Sequence, residues 1–443
     1  MALSGFFGRV FGGGANNRQI FANIGWLFFD KILRMAGGLV VGVWIARYLG
    51  PTQYGTLNFA VALASLFTAL STLGLDSIIV RDVVREPDAH NEIVGTAAVL
   101  RFIAGVATIA LIQVVASVMR PDQATARLLV AIVSLATVFR AADVLKPWFE
   151  SQVASKYRVI AENSGFLVVT GLRVALILVQ APLYAFGMAM AIEVMLGKAA
   201  LWVVYARKSG RIRDLRVRWR WVVHFLAEGW PLILSSLAVM MYMRIDQIML
   251  GMLLDDTAVG VYSAAVKISE IWYFIPMSIV ASFAPRLTQL HKSDRTAYDQ
   301  RFQRLCSSLT AISYLVVVPV AVLAPWAMTL LYGAEYGDAG IVLTLHIWAG
   351  LFVSLGIASA RWLLNEGMTR FTLVRTVAGV VVNIGLNAIL IPRYGPAGAA
   401  FTTVISHSVS DMLAHVTIGR ARPLFKMQAR ALLLWQLRSV GAA

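Results

Sequence analysis

Cysteine is almost missing from this chain. Cys306 stands alone, which excludes an intrachain disulfide and any metal site built from cysteines. Charge is scarce too. Asp, Glu, Lys and Arg make up 14% of the residues, against about a quarter in an ordinary soluble domain. The shortage runs along the whole chain, which excludes a soluble body carrying one anchor. Also missing are a Gly-rich phosphate loop with Lys-Ser/Thr, an HExxH helix and an acidic pair on a long external loop. No hydrolytic or glycosyl-transfer constellation can be assembled, so an enzyme is not expected. Residues 1–19 hold Arg9, Arg18, glycines and scattered Phe6, Phe7 and Phe11, but no compact apolar stretch followed by small residues. They read as a cytoplasmic lead-in rather than a cleaved signal.

What the chain has in abundance is apolar sequence, 59% of its residues. Runs of roughly 20 residues recur from Trp26 to His415, each able to cross a bilayer core of about 30 Å as a helix. The expected spans lie at about 20–46, 54–80, 92–119, 125–147, 157–180, 183–206, 229–252, 257–285, 305–331, 339–363, 370–391 and 396–418. Gly and Pro mark turns at Gly50-Pro51, Arg120-Pro121, Ala181-Pro182, Ile391-Pro392 and Gly395-Pro396.

A net charge of +16 would suggest nucleic acid in a soluble protein, but its placement argues for a membrane. Roughly 26 basic residues fall on the even-numbered connections and the termini, and about 4 on the odd ones. This positive-inside bias sets both termini in the cytoplasm and requires an even helix count. The connection Arg207–Arg220 is strongly basic with Leu215, Val217, Trp219 and Trp221 interleaved. A helix lying on the anionic leaflet is expected there.

The chain also repeats itself. Gly25-Trp26 opens the first span and Gly229-Trp230 the seventh. Gly171-Leu172-Arg173-Val174-Ala175-Leu176-Ile177 matches Gly385-Leu386-Asn387-Ala388-Ile389-Leu390-Ile391. Six helices separate equivalent positions, so the halves run in the same direction, a parallel repeat about an axis along the membrane normal. The expected fold is therefore all-α and integral to the membrane, about twelve helices in two parallel-repeat six-helix lobes whose equivalent helices should meet at a central cleft. The division is a lead-in at 1–19, an N-lobe at 20–206, a basic linker at 207–228, a C-lobe at 229–418 and a basic tail at 419–443.

Charges at membrane depth are costly and face the bundle interior, so each is a functional candidate. Asp30, Lys31 and Arg34 lie near the middle of the first helix, with Asp30 and Arg34 placed to pair at i, i+4. Arg244 and Asp246 occupy the seventh, Lys267 and Glu270 the eighth. Structural pairing is the expectation for Arg101, Glu162, Arg173 and Arg375. Arg140, Asp143 and Lys146 sit near a cytoplasmic helix end, where snorkelling is expected. His407, Asp411 and His415 share one face of the last helix. That arrangement favours a hydrogen-bonded interface or a proton path over a metal site.

Ala46-Arg47-Tyr48-Leu49-Gly50-Pro51 through Tyr54-Gly55 resembles the first hairpin of bacterial polysaccharide flippases. Arg244-Ile245-Asp246-Gln247-Ile248-Met249-Leu250-Gly251, followed by Val259-Gly260-Val261-Tyr262 through Lys267-Ile268-Ser269-Glu270, is similar to the O-antigen and exopolysaccharide flippases. These belong to the multidrug/oligosaccharidyl-lipid/polysaccharide exporter superfamily. The resemblance implies two lobes around a central cavity, in an inner-membrane protein that moves an undecaprenyl-pyrophosphate oligosaccharide from the cytoplasmic to the periplasmic leaflet. On that footing Lys31, Arg34, Arg244 and Lys267 are expected to attract the pyrophosphate. Asp30, Asp246 or Glu270 would bind a driving proton or sodium ion. No other cofactor, no resident metal and no nucleic acid is expected; membrane lipids and glycan polymerase or ligase proteins are the expected partners. A drug/cation antiporter or a lipid II flippase on the same fold is the alternative.

Overall fold

A computed structural model describes residues 15–151, 155–208 and 214–433. Among them there is no strand, and ten helices are long and apolar enough to cross a membrane. Five of them run to 35 residues or more, where about 20 suffice for a crossing. Two of these are interrupted by non-helical backbone, Phe29–Leu66 with 38 residues and Thr369–Val416 with 48. Each breaks at a glycine followed by proline. Gly50 has φ 69° and ψ 170°, and Gly395 has φ 58° and ψ −140°. Positive φ is tolerated by glycine because it lacks a Cβ, while proline suits the first turn of the helix that follows. The breaks separate α1 (15–49) from α2 (51–66) and, near the other end, α17 (369–394) from α18 (396–411). Twelve crossings result, as the sequence predicts.

Between these pairs run α3 (Thr68–Thr72), α4 (Asp76–Arg85), α5 (His90–Met119), α6 (Ala124–Ser134), α7 (Ala136–Phe139), α8 (Leu145–Ser151), α9 (Ser155–Leu178) and α10 (Leu183–Lys208). Then follow α11 (Trp219–Leu253), α12 (Asp256–Glu270), α13 (Phe274–Ser293), α14 (Arg295–Tyr332), α15 (Ala339–His346) and α16 (Ala349–Asn365). The last helix is α19 (Arg422–Leu432).

Two compact units emerge. One contains the described residues up to Gly42 with Leu63–Leu237, the other Val43–Ala62 with the described residues from Ala238 onward. The cuts fall inside α1, α2 and α11 rather than at the linker expected between the lobes, and glycines explain why. In the second unit a Cβ on Gly55 would collide with the carbonyl of Asp256, and one on Gly260 with the carbonyl of Pro51. Without side chains the backbones of α2 and α12 touch. Thr52 and Thr257, 205 residues apart, share a hydrogen bond of 2.8 Å, and Thr56 donates to Asp256 at 2.6 Å. Gly55 and Gly260 stand at the same offset, so the internal repeat seen in sequence becomes a pairwise contact. Tyr336 adds a bond to the Ala46 carbonyl at 2.8 Å. In the first unit, the start of α11 is held the same way. A Cβ on Gly229 would lie 2.8 Å from the Leu73 carbonyl, and one on Gly74 2.7 Å from Leu232 Cβ.

The first unit has a core of Ile79, Val94, Leu145, Phe149, Leu201 and Phe225 at the end where the basic connections gather. Next to it Arg81 pairs with Asp82 at 2.7 Å and Glu228 at 2.6 Å. These bonds, Asp82 first, hold its guanidinium above its usual pKa. The linker departs from expectation. Residues 209–213 lie outside the described residues, and 215–218 have no regular secondary structure rather than being helical. Backbone pairing explains the difference: Arg216 N–H donates to the Asn91 carbonyl at 3.2 Å and Arg218 N–H to Thr96 Oγ1 at 3.0 Å. Arg218 and Arg220 then reach Glu92 at 3.1 and 3.2 Å.

The second unit is centred on Tyr298, Phe302, Cys306, Leu355, Trp362 and Leu424. Leu424 comes from α19, so the basic tail is partly built into the fold. Gln428 donates to Ser359 at 2.7 Å and to the Asp411 carbonyl at 2.8 Å, while Arg422, Lys426 and Arg430 stay exposed on the opposite face. The tail beyond Leu433 and the first fourteen residues lie outside the described residues.

Candidate functional site

In the first unit, charged side chains from α1, α8, α9, α10 and the 3-10 turn Arg140–Val144 surround a cavity of about 340 Å³. Small residues bring the helices close enough to form it. A Cβ on Gly165 would lie 2.8 Å from the Gly197 nitrogen, so α9 and α10 nearly touch and Glu162 meets Lys198. Lys198 Nζ lies 2.6 Å from both Glu162 and Asp143. Lys146 reaches the same two carboxylates at 3.2 and 3.1 Å, and Arg158 approaches Glu162 at 3.5 Å. At the other end of the cavity Arg34 pairs with Asp30 at 2.8 Å and approaches Glu193 at 3.7 Å, and Arg173 holds Glu193 at 2.8 Å.

Snorkelling therefore does not describe Asp143 or Lys146. Asp143 is buried and Lys146 is turned inward, because Glu162 and Lys198 offer partners there. The cavity lining carries five cations, Arg34, Arg140, Lys146, Arg158 and Lys198, against three carboxylates, Asp30, Glu162 and Glu193. Fixed positive charge thus exceeds negative in a concave, partly enclosed space. Of the two cations expected on α1, Arg34 lines this cavity, whereas Lys31 is exposed and is not part of the lining. Arg101 is wholly buried and paired with Asp76 at 2.9 Å.

The second unit holds Arg244, Asp246, Lys267 and Glu270. Asp246 is 4% exposed and accepts three neutral donors: Tyr262 at 2.8 Å, Thr403 at 2.8 Å and the Asn387 amide at 2.5 Å. Asn387 also donates to Asn383 Oδ1 at 2.9 Å, while its own Oδ1 is buried without a partner among the described residues. Two hydroxyls and one amide, from α12, α18 and α17, thus converge on a carboxylate that forms no ion pair among the described residues. Glu270 stands within electrostatic range of Arg244, His407 and Asp246. Neither Lys31, Arg244 nor Lys267 forms an ion pair among the described residues.

A separate network ties α16, α17 and α18. Arg375 donates to Asp411 at 2.8 Å, to the Ser410 carbonyl at 3.2 Å and to the Gly356 carbonyl at 3.3 Å, and His407 meets Asp411 at 2.9 Å. His415 does not continue the face of His407 and Asp411. The helix ends at Asp411, and His415 turns to Gln428 at 2.9 Å. No group of three or more His, Cys, Asp or Glu side chains among the described residues could hold a metal ion.

The profile of the family described as "Polysaccharide biosynthesis protein" matches residues 20–291, more than half of the chain, and that of the MatE family matches 231–389. Agl15 of Haloferax volcanii, a probable low-salt glycan biosynthesis flippase, is 25% identical over 185 residues, covering 41% of this chain and 39% of that protein. The capsular polysaccharide biosynthesis protein CapF of Staphylococcus aureus is 26% identical over 184 residues, 41% of this chain and 46% of that one. The matches thus span less than half the length of these relatives. Among solved structures, the lipid II flippase MurJ in its inward closed conformation superposes with TM-score 0.70 at 14% identity, over 95% of this chain and 93% of MurJ. An inward-facing multidrug resistance MATE family transporter of the MOP superfamily gives 0.69 at 17% identity, over 91% and 95%. At such identities these likenesses establish the fold. By its profile match and its twelve-helix architecture, the chain is a multi-pass membrane protein that belongs to the polysaccharide biosynthesis protein family.

Proposed function

We propose that this protein is a flippase that carries a polyprenyl-diphosphate-linked oligosaccharide, of the undecaprenyl type, from the cytoplasmic to the periplasmic leaflet of the inner membrane by alternating access. The observation that carries the reading is the surplus of fixed positive charge at membrane depth. The first unit contributes a cavity with five cations against three carboxylates, and the second contributes Arg244 and Lys267 without ion pairs. A diphosphate entering hydrocarbon alone faces a prohibitive desolvation cost, and cations already held in the protein offset it. The name of Agl15, a probable low-salt glycan biosynthesis flippase, supports the same reading.

Asp246 is the proposed coupling site. Its carboxylate and the hydroxyl oxygens of Tyr262 and Thr403, each 2.8 Å away, are ligands of the kind a small hard cation takes, and protonation of the carboxylate is the other route to neutrality. Glu270 and Asp30 already have cations nearby, which makes them poorer receivers of an incoming ion. A drug/cation antiporter would favour a cavity with a negative surplus, and the lining of the first unit has the opposite sign. A lipid II flippase shares the diphosphate chemistry.

The test is flipping in proteoliposomes of a fluorescent polyprenyl-diphosphate disaccharide, scored by loss of protection from an impermeant quencher. Protein-dependent flipping of that lipid, with none of an uncharged glycolipid of the same chain length, is expected. Equal rates for both, or efflux of cationic drugs in its place, would refute the proposal.

A further inference from the structure

Beside the charged cavity lies a second, apolar one. A groove of about 450 Å³ is lined by Phe102 of α5, Phe139 of α7, Ala142, and Met195, Lys198 and Trp202 of α10. Phe102 is 52% exposed and Met195 37%, so the groove opens on the flank of the unit. Its one charged lining residue is Lys198, which also lines the polar cavity.

Helical geometry explains the shared wall. At about 100° per residue, Val194 and Gly197 turn toward the polar cavity and Met195, Ala199 and Trp202 toward the groove, with Lys198 on the border between them. The Arg140–Val144 turn repeats the arrangement: Arg140 lines the cavity, while Ala141 and Ala142 line the groove. Methylenes of Lys198 therefore form part of an apolar floor while its ammonium sits 2.6 Å from Asp143 and Glu162. This is the division long basic side chains adopt between apolar and polar surroundings. Gly105 brings α5 against this wall, since a Cβ there would stand 3.1 Å from the Thr137 carbonyl and Val138 Cα.

An apolar trough joined through a lysine to a chamber with surplus positive charge complements one molecular shape, a long hydrocarbon chain ending in an anion. We infer that the groove between α5, α7 and α10 is the dock for the isoprenoid chain of the transported lipid, with its diphosphate anchored at Lys198 and Arg140. The inference rests on the flippase reading and adds the place where the substrate's tail lies. On the expected topology Lys198 precedes the cytoplasmic end of α10 by ten residues, about 15 Å of helix, which puts the joint between groove and cavity near the mid-depth of a core of about 30 Å.

The experiment places a photoreactive p-benzoylphenylalanine at Phe102, or at Val118 on the same helix, which is 77% exposed. Full-length protein in lipid nanodiscs is irradiated with a tagged long-chain polyprenyl diphosphate, and untagged competitors are added. The expected result is an adduct at position 102 but not at 118. Unlabelled polyprenyl diphosphate should displace it at about one-tenth the concentration needed for phosphatidylglycerol or the free polyprenol, the margin one charge-assisted hydrogen bond provides. Equal adducts at both positions, or displacement by phosphatidylglycerol at the same concentration, would overturn the assignment and leave an ordinary annular lipid in the groove. Flipping measured on the same preparations separates the two claims. Flipping without an adduct at 102 refutes the dock alone, and absence of flipping in the unsubstituted protein refutes the function.

Discussion

The contact between Gly55 and Gly260 offers a direct test of how closely α2 and α12 pack. A Cβ at Gly55 would stand 2.6 Å from the Asp256 carbonyl carbon and 2.9 Å from the Gly260 nitrogen, where ordinary contact begins near 3.4 Å. Both neighbours are backbone, so no rotamer change can relieve the clash. In Gly55→Ala the hairpin Val43–Ala62 must back away from α12 by roughly 1 Å. Overpacking of this kind costs about 1–3 kcal/mol, and loss of the Thr56–Asp256 bond adds about 1 kcal/mol. A penalty of roughly 2–4 kcal/mol lowers the fraction of protein with α2 packed on α12 by about 30-fold or more. Thr52→Cys with Thr257→Cys reports that population by oxidative cross-linking, because their hydroxyls meet at 2.8 Å. The one native thiol, Cys306, is buried and will not interfere. Cross-linking should be rapid in the double-cysteine protein and fall at least about tenfold when Gly55→Ala is added. An unchanged rate would show that the two hairpins do not depend on glycine to meet, and the reasoning would fail.

Other substitutions probe the remaining networks. Asp411→Asn strands Arg375, whose side chain is 6% exposed; losing one member of such a pair costs about 3–5 kcal/mol. The melting temperature in detergent should drop sharply, and Arg375→Met combined with Asp411→Leu should recover most of the loss; no drop in the single variant would contradict the pairing argument. Asp246→Asn keeps the shape but removes the charge. It should leave the melting temperature within a few degrees while abolishing the response of transport to an imposed sodium or proton gradient. A gradient response that survives would move the coupling site elsewhere. Gly95→Val thrusts a side chain into Arg216, whose carbonyl would lie 2.6 Å from the new Cβ. The linker should detach, seen as faster proteolysis between α10 and α11.

Much of the fold was legible because a bilayer imposes simple rules. Long apolar runs gave the crossings, and Gly50-Pro51 and Gly395-Pro396 gave two of the reversals, since glycine supplies the positive φ and proline begins the next helix. Paired charges were legible where the partners share a helix, as with Asp30 and Arg34. The cluster of Asp143, Lys146, Glu162 and Lys198 was harder to see. Its members come from separate elements, and no periodicity within one helix reports which faces meet across a bundle. The glycines at 165 and 197 were the available signal, marking where α9 and α10 draw together. The linker misled because its basic and apolar residues suit an interfacial helix, whereas the Asn91 carbonyl and the Thr96 hydroxyl of α5 accept from its backbone instead. In the tail, Leu424, Gln428 and Ala431 against Arg422, Lys426 and Arg430 already spell an amphipathic helix, a pattern overlooked beside the net charge.

The central claim is that unpaired cations at membrane depth carry a diphosphate. The measurement that tests it most directly is the flipping rate of the fluorescent polyprenyl-diphosphate disaccharide by protein carrying Arg244→Gln and Lys267→Gln together. Neither side chain forms an ion pair among the described residues, and Arg244 acts on Glu270 only at longer range, so folding should be preserved. Each charge-assisted contact contributes about 1.5–3 kcal/mol, so flipping should slow by about tenfold or more while the melting temperature stays put. Flipping at the unsubstituted rate, with both charges gone, would contradict the account.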